Sequence, residues 1–211
     1  VTNLSIIVPK STASSQGVRT STANALTLQV KDVDIIKKYS SASKYVSPLV
    51  RATKQVKYLS KNWGTSIMGV SSEYLAIRDW KVAEGSPFTV DDVKKVGKVC
   101  LIGKTVETNL FALNEDPVGK TIRIGSIPFK VIGVLSEKGQ NAVGQDQDDV
   151  VLAPYTSIQQ RMTGSIYINV IFVSAQTAAE VKKAVNQITY CIRVSHRLSK
   201  TDDDDFAVHT Q

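Results

Sequence analysis

Apolar residues follow two rhythms along this chain, one with the period of a strand and one with the period of a helix. Leu4-Ser5-Ile6-Ile7-Val8 is a β-rich run closed by Pro9, which predicts a strand. Ser11 to Asn24 is rich in Ser, Thr and Gly with little apolar content, which predicts a long loop. Leu26, Val30, Val33, Ile36 and Tyr39 then recur at three- and four-residue steps and predict an amphipathic helix, broken by Ser40-Ser41-Ala42-Ser43. Lys44 to Leu59 largely alternates around Val46, Val50, Val56 and Tyr58, so it predicts a strand with Pro48 at an edge or bulge. Asn62-Trp63-Gly64 reads as a turn, and Thr65 to Val70 as the returning strand.

The middle of the chain, Lys81 to Thr163, consists of short elements bounded by Gly and Pro. Lys98 to Ile102 predicts a short buried strand, followed by a helix carrying Val106, Leu110 and Phe111. Thr121 to Ile124 and Pro128 to Leu135 predict a hairpin turning at Gly125-Ser126. A polar loop, Glu137 to Asp148, leads to a strand at Val150-Val151-Leu152 that Pro154 stops.

From Ile166 the opening style returns. Ile168, Val170 and Phe172 alternate as in a strand. Ala178, Val181, Val185, Ile188 and Ile192 mark a second amphipathic helix, with Glu180 in its first turn, where the helix dipole favours a negative charge. Asp205 to Val208 predicts a last short strand. The chain thus opens and closes with a strand–helix–strand unit, and the packing that suits both is one sheet with the two helices on one face.

Composition changes this picture little. With 211 residues, 42% of them apolar and 21% charged, the chain can bury a core and is not of a disordered class. No apolar run approaches the roughly 18 to 20 residues of a membrane span, and no signal peptide is visible. Val1 in place of Met, and the end at Val208-His209-Thr210-Gln211, read as those of an excised segment. The net charge of +7 comes from scattered pairs such as Lys37-Lys38, Lys94-Lys95 and Lys182-Lys183. That is a solvated surface rather than the dense basic stripe of a nucleic-acid binder. Attraction to anionic headgroups or to an acidic partner stays open. Cys100 and Cys191 each sit in an apolar run and read as buried hydrophobes, although a single disulfide is also compatible with the sequence.

Candidate chemistry fails on spacing. Gly103-Lys104-Thr105 invites a phosphate-loop reading, but the glycine before it is Gly97, one residue too far, and a buried strand separates the two. Gly119-Lys120-Thr121 has Asn114 where the first glycine should stand. Asp146, Asp148 and Asp149 start like a calcium loop, yet its glycine and glutamate positions hold Val151 and Ser157. Asp202 to Asp205 reads as a charged turn. Of the two histidines, His196 and His209, the first is placed at the end of the last helix, where positive charge suits the dipole, and Cys191 does not share its helical face. The residues offer no catalytic, cofactor or metal site.

A series of short motifs in fixed order carries more. It runs through Gly69-Val70-Ser71-Ser72-Glu73-Tyr74-Leu75, Gly85-Ser86-Pro87-Phe88-Thr89, Val99-Cys100-Leu101-Ile102-Gly103 and Asn109-Leu110-Phe111. Asp116-Pro117-Val118-Gly119-Lys120 then precedes Ile127-Pro128-Phe129-Lys130-Val131-Ile132-Gly133-Val134-Leu135. Val151-Leu152-Ala153-Pro154-Tyr155, Arg193-Val194-Ser195-His196 and Asp204-Asp205-Phe206 complete it. This set resembles the MacB-like periplasmic core domain of ABC-transporter permeases, the MacB/FtsX-like family. Thr2 to Val8 is similar to the segment that follows such a permease's first membrane helix. Cys100 departs from the family's usual aliphatic residue. The motifs themselves are structural, with Gly119 and Gly133 at turns or tight contacts, Pro117 and Pro128 at segment starts, and Phe88, Phe111 and Phe129 in a small core.

The resemblance implies an α+β fold in two parts. A porter-like βαβ subdomain would comprise residues 1–79 and 165–211, and a small inserted α/β subdomain, Sabre-like, residues 80–164. It implies an extracytoplasmic, non-catalytic domain that transmits ATP-driven motion, an ABC ATPase reached through the parent permease, a homodimeric parent and a periplasmic adaptor or membrane-fusion protein as partner. A second reading makes the domain a binding module for a ligand or an adaptor protein, with its site either at the surface between the two parts or at the tip of the insertion, Gly139 to Gln147. A third, an enzyme, would require Asp, His and Lys side chains to converge in the folded chain.

Overall fold

The computed structural model describes residues 3–10 and 26–211, so the loop expected from Ser11 to Asn24 lies outside the described residues. The elements run β1 (Leu4–Pro9), α1 (Val30–Tyr39), β2 (Ser43–Tyr58), β3 (Lys61–Val70), α2 (Tyr74–Ile77), β4 (Val82–Gly85), α3 (Val90–Lys94), β5 (Val99–Ile102) and α4 (Lys104–Leu110). They continue with β6 (Thr121–Ile124), β7 (Ile127–Leu135), β8 (Val150–Pro154), α5 (Tyr155–Ile158), β9 (Val170–Ala175), α6 (Val181–Ser195) and β10 (Phe206–Thr210). A π turn, Gln159–Thr163, extends α5, and a 3₁₀ turn, Ala178–Glu180, precedes α6. None of the described helices is long and apolar enough to cross a membrane.

The chain forms two compact units, one of residues 1–49, 76–79 and 165–211, the other of 50–75 and 80–164. In the first, the strand order is β10-β1-β9-β2, with every neighbour antiparallel. With α1 and α6 as crossovers this is the βαββαβ arrangement of a ferredoxin-like layer. Val33 and Ile36 of α1 and Ala184, Ile188 and Ile192 of α6 are buried in its core with Ile7, Val46 and Val173. All six residues of β9 are buried, where the sequence suggested a one-sided strand. The strand lies between β1 and β2, and the Arg78 guanidinium covers the ring of Phe172 at 5.7 Å. A central strand covered on both faces loses the polar half of its alternation.

In the second unit, β3 pairs parallel with β8, β8 antiparallel with β5, and β5 parallel with β7. β4 and β6 both lie antiparallel to β7. β6 also pairs with the far end of β2, Val56 opposite Ile124, so the pairings β2-β3-β8-β5-β7-β6-β2 close on themselves. Closure leaves no open edge among these strands. It also draws the β2–β3 hairpin into this unit, so residues 50–75, grouped with the chain ends on sequence, pack with 80–164. The hairpin turns at Leu59-Ser60, with Leu59 at φ 52°, whereas Asn62-Trp63-Gly64 lies inside β3. Trp63 Nε1 and Thr65 Oγ1 both donate to Asp149 Oδ1, at 2.8 and 2.7 Å, and fix β3 beside the start of β8. The register break in β2 falls between Ser43 and Tyr45 rather than at Pro48, which pairs with Ile171.

Phe88, Phe111 and Phe129 are all buried, and Phe111 stacks on Tyr58 with ring centroids 4.3 Å apart. Gly133 is required by contact, because a Cβ there would lie 2.8 Å from Leu101 Cδ2 and 3.0 Å from the Glu84 carbonyl oxygen. Side chains of α5 close the end of α3: Thr156 Oγ1 donates to the Val93 carbonyl at 2.6 Å and Ser157 Oγ to that of Gly97 at 2.6 Å.

Candidate functional site

Asp32 sits in the first turn of α1, where its carboxylate suits the helix dipole and accepts the Gln29 N–H at 2.9 Å. The same side chain is fully buried, so it needs further partners. They come from the far end of the chain. His196, the C-cap of α6, donates from Nε2 to Asp32 Oδ2 at 2.8 Å. Its Nδ1 lies 2.7 Å from Asp205 Oδ1, just before β10. Ser195 Oγ donates to Asp32 Oδ1. Arg193 pairs with Asp204 and donates to the carbonyls of Ser199 and Asp202, at 2.6 and 3.1 Å, fixing the turn between α6 and β10. One network therefore joins the start of α1, the end of α6 and the approach to β10.

Burial is the largest single influence on His196 and works against its charge. The bonds to Asp32 and Asp205, with their negative charges, outweigh it and hold the imidazole above its ordinary value. Asp32 is the mirror case. Burial raises it most, but bonds from His196, Ser195 and the Gln29 N–H, with the imidazolium charge, bring it below the ordinary carboxylate value.

Ser, His and Asp here carry the residue types of a nucleophilic triad with different wiring. The serine hydroxyl donates to the carboxylate, and both imidazole nitrogens face carboxylates, so the imidazole offers the hydroxyl no base. The arrangement is chemically a buried ion network that links elements. The sequence placed His196 at the helix end but missed Asp32 and Asp205 as its partners; the one available signal was a carboxylate at α1's third position.

The other singled-out residues are dispersed. Gly103 is the N-cap of α4, and Lys104 pairs with Glu107 at 3.1 Å. Lys120 and Thr121 lead into β6, after Gly119 at φ 90°. Asp146 accepts from Thr105 Oγ1 at 2.5 Å. Asp148 is buried and accepts the N–H groups of Lys138 and Gly139 at 2.8 Å each, while Asp149 holds β3. These carboxylates point to separate donors, and among the described residues no group of His, Cys, Asp and Glu could hold a metal ion. Cys100 and Cys191 are free, buried and in different units, and burial pushes both thiols up. His209 lies exposed in β10.

The loop after β7 is internally built. Asn141 Oδ1 accepts the N–H groups of Val143 and Gln145, at 3.1 and 3.0 Å, and the Gly139 carbonyl accepts from Gln147 N at 3.0 Å. Val143 stands 78% exposed at the tip.

An antiparallel layer under two helices in one unit and a closed strand circuit in the other make this an α+β domain. The family described as MacB-like periplasmic core domain matches residues 2–190. The chain belongs to that family, the periplasmic domain of MacB-like ABC-transporter permeases. It is 41% identical over 180 residues to a macrolide export ATP-binding/permease protein MacB of Syntrophobacter fumaroxidans, covering 84% of this chain and 25% of that protein. A MacB of Bdellovibrio bacteriovorus is 32% identical over 189 residues, 90% of this chain and 29% of its own length. The chain thus spans little more than a quarter of these curated relatives.

Solved structures agree on the fold. The periplasmic region of MacB from Actinobacillus actinomycetemcomitans superposes with a TM-score of 0.81 at 23% identity, over 99% of this chain and 89% of that one. The extracellular domain of the noncanonic ABC-type transporter YknZ from Gram-positive bacteria gives 0.78 at 19% identity, over 99% and 100%.

Proposed function

We propose that the chain is the extracytoplasmic part of an ABC-transporter permease and passes ATP-driven motion from the membrane to a substrate or partner outside it, without chemistry of its own. The observation that carries this is the pairing of β1 with β10, Ser5 opposite Thr210. A domain entered and left through adjacent antiparallel strands can hang from two membrane helices and be moved by both. The sheet of the first unit then acts as the porter-like part, and the closed strand circuit as the inserted part. The parent works as a dimer with an ABC ATPase, fused or separate, and a periplasmic adaptor is the partner the reading favours.

The test is a peptide map of the native polypeptide purified from membranes. Membrane helices flanking residues 1–211 and a copurifying ATPase are expected, while the pure domain hydrolyses no ATP. A native protein that stays soluble without an ATPase would overturn the reading, as would ATP hydrolysis by the pure domain that is lost in Lys104→Ala.

A second reading, a docking module, is favoured by the built loop at Gly139 to Gln147. Because Gly139 and Gln147 are hydrogen-bonded to each other, residues 140–146 can be replaced by a two-residue turn that keeps this bond and loses the Asp146 bonds to Thr105 Oγ1 and the Asp148 N–H. This replacement is expected to abolish adaptor capture and leave the circular dichroism spectrum unchanged. Capture that survives would remove the loop as the site.

A further inference from the structure

α1 and α6 lie side by side and antiparallel: Asp32 meets Ser195 and His196 at one end, and Ser40 meets Gln187 at the other. Their inner faces are spent on the sheet. Their outer faces leave a groove of about 640 Å³, lined by Ile35, Lys38 and Tyr39 of α1 and Tyr190, Cys191 and Val194 of α6. Tyr39 is 64% exposed, Tyr190 71% and Val194 54%, a concentration of large apolar side chains that the fold does not use.

The groove's charge selects an occupant. Lys31 shares the helix face of Ile35 and Lys38 by four- and seven-residue spacing, and Lys183 precedes Tyr190 by seven on α6. All three lysines are exposed, and Asp34 is the one acid among the lining residues. A second copy of the chain would set lysine against lysine. A bilayer surface is too smooth to enter a channel between two helices, whereas a helix ridge fills one.

We propose that this groove binds one amphipathic helix of a partner protein, apolar along one side and acidic along both flanks. The apolar stripe would cover Tyr39, Tyr190 and Val194, and the flanking carboxylates would face Lys31, Lys38 and Lys183. This goes beyond both readings above and rests on neither. It concerns the first unit, so failure of loop replacement in the second leaves it untouched.

The probe is a synthetic amphipathic peptide of about 18 residues, long enough to hold a helix, with a leucine stripe and glutamate flanks. Saturable binding to the whole chain is expected, weakening with salt, together with amide shifts confined to α1 and α6 in NMR spectra. The pair Tyr39→Ser and Tyr190→Ser, and the triple Lys31→Glu, Lys38→Glu and Lys183→Glu, should each weaken it at least about tenfold, since both ends of the interaction are needed. These side chains are exposed, so an unchanged circular dichroism spectrum is expected of both variants. A peptide with lysine flanks should not bind. Absent or variant-insensitive binding of the glutamate peptide overturns the proposal. So does phosphatidylglycerol vesicle binding that competes with the peptide, which would assign the face to lipid, or a chain dimer dissolved by the same substitutions, which would assign it to a second copy.

Discussion

Asp32→Ala is expected to destabilise the first unit by about 3 kcal/mol, because it leaves the buried Nε2 of His196 and the buried Ser195 hydroxyl facing a void. Asp32 is fully buried and His196's side chain is 7% exposed, so bulk water does not replace the lost carboxylate. Asp32→Asn keeps the shape and removes the charge; it should fall between wild type and Asp32→Ala. Both tryptophans, Trp63 and Trp80, belong to the second unit, so their fluorescence will not report this loss. Hydrogen exchange of β10 and α6 will.

The network's stabilisation also has a defined pH window. His196 is held above its ordinary 6.5, so its contribution is complete below that value and is lost as pH rises through the raised folded value. Asp32 is held below its ordinary 3.8, so its contribution is complete above that value and is lost as pH falls through the lowered one. The stability difference between wild type and His196→Gln should therefore be greatest between pH 3.8 and 6.5 and shrink on either side. A difference that grows above neutral pH would show that the histidine is held neutral and that the network is wired differently.

Gly103→Ala is expected to cost about 3 kcal/mol or more, through overpacking against backbone that cannot yield. An added Cβ would lie 2.0 Å from the Asp148 carbonyl oxygen. Relief would pull Gly103 N from the Val150 carbonyl it now meets at 2.9 Å, where β5 approaches β8. The neighbouring Lys104→Ala removes the i,i+3 pair with Glu107 and a weaker attraction to Glu84 and Glu137, for under about 1 kcal/mol. The urea midpoint read by tryptophan fluorescence, which reports this unit, separates them. A large shift for Gly103→Ala and a small one for Lys104→Ala marks the glycine as a packing residue. The reverse order would revive a role for the lysine.

Much of the fold was legible because it is local. Gly125-Ser126 turns the β6–β7 hairpin as its residue types suggest, and the three- and four-residue spacing of Val33, Ile36, Ile188 and Ile192 marks the inner faces of α1 and α6. What stayed hidden depends on distant partners. Ile124 reveals nothing of its pairing with Val56, so neither ring closure nor the place of residues 50–75 could be read. Leu59 turns the β2–β3 hairpin at positive φ without the glycine or asparagine that usually announces it, and Asn62-Trp63-Gly64 drew the turn away. His196 was placed at its helix end by chemistry that acts within one turn, yet Asp32 lies 164 residues away. No spacing rule spans that distance.

The reading of this chain as a moving part is tested most directly in the membrane-embedded parent carrying Leu113→Cys, a position 93% exposed that is part of neither the groove, the loop nor the ion network. Spin labels there, in a dimer, give a distance distribution with and without ATP trapped at the ATPase. A shift of the distribution on trapping ATP, reversed when nucleotide is removed, is the expected result. An unchanged distribution, in a preparation that hydrolyses ATP at its full rate, would contradict the transmission of motion through this domain.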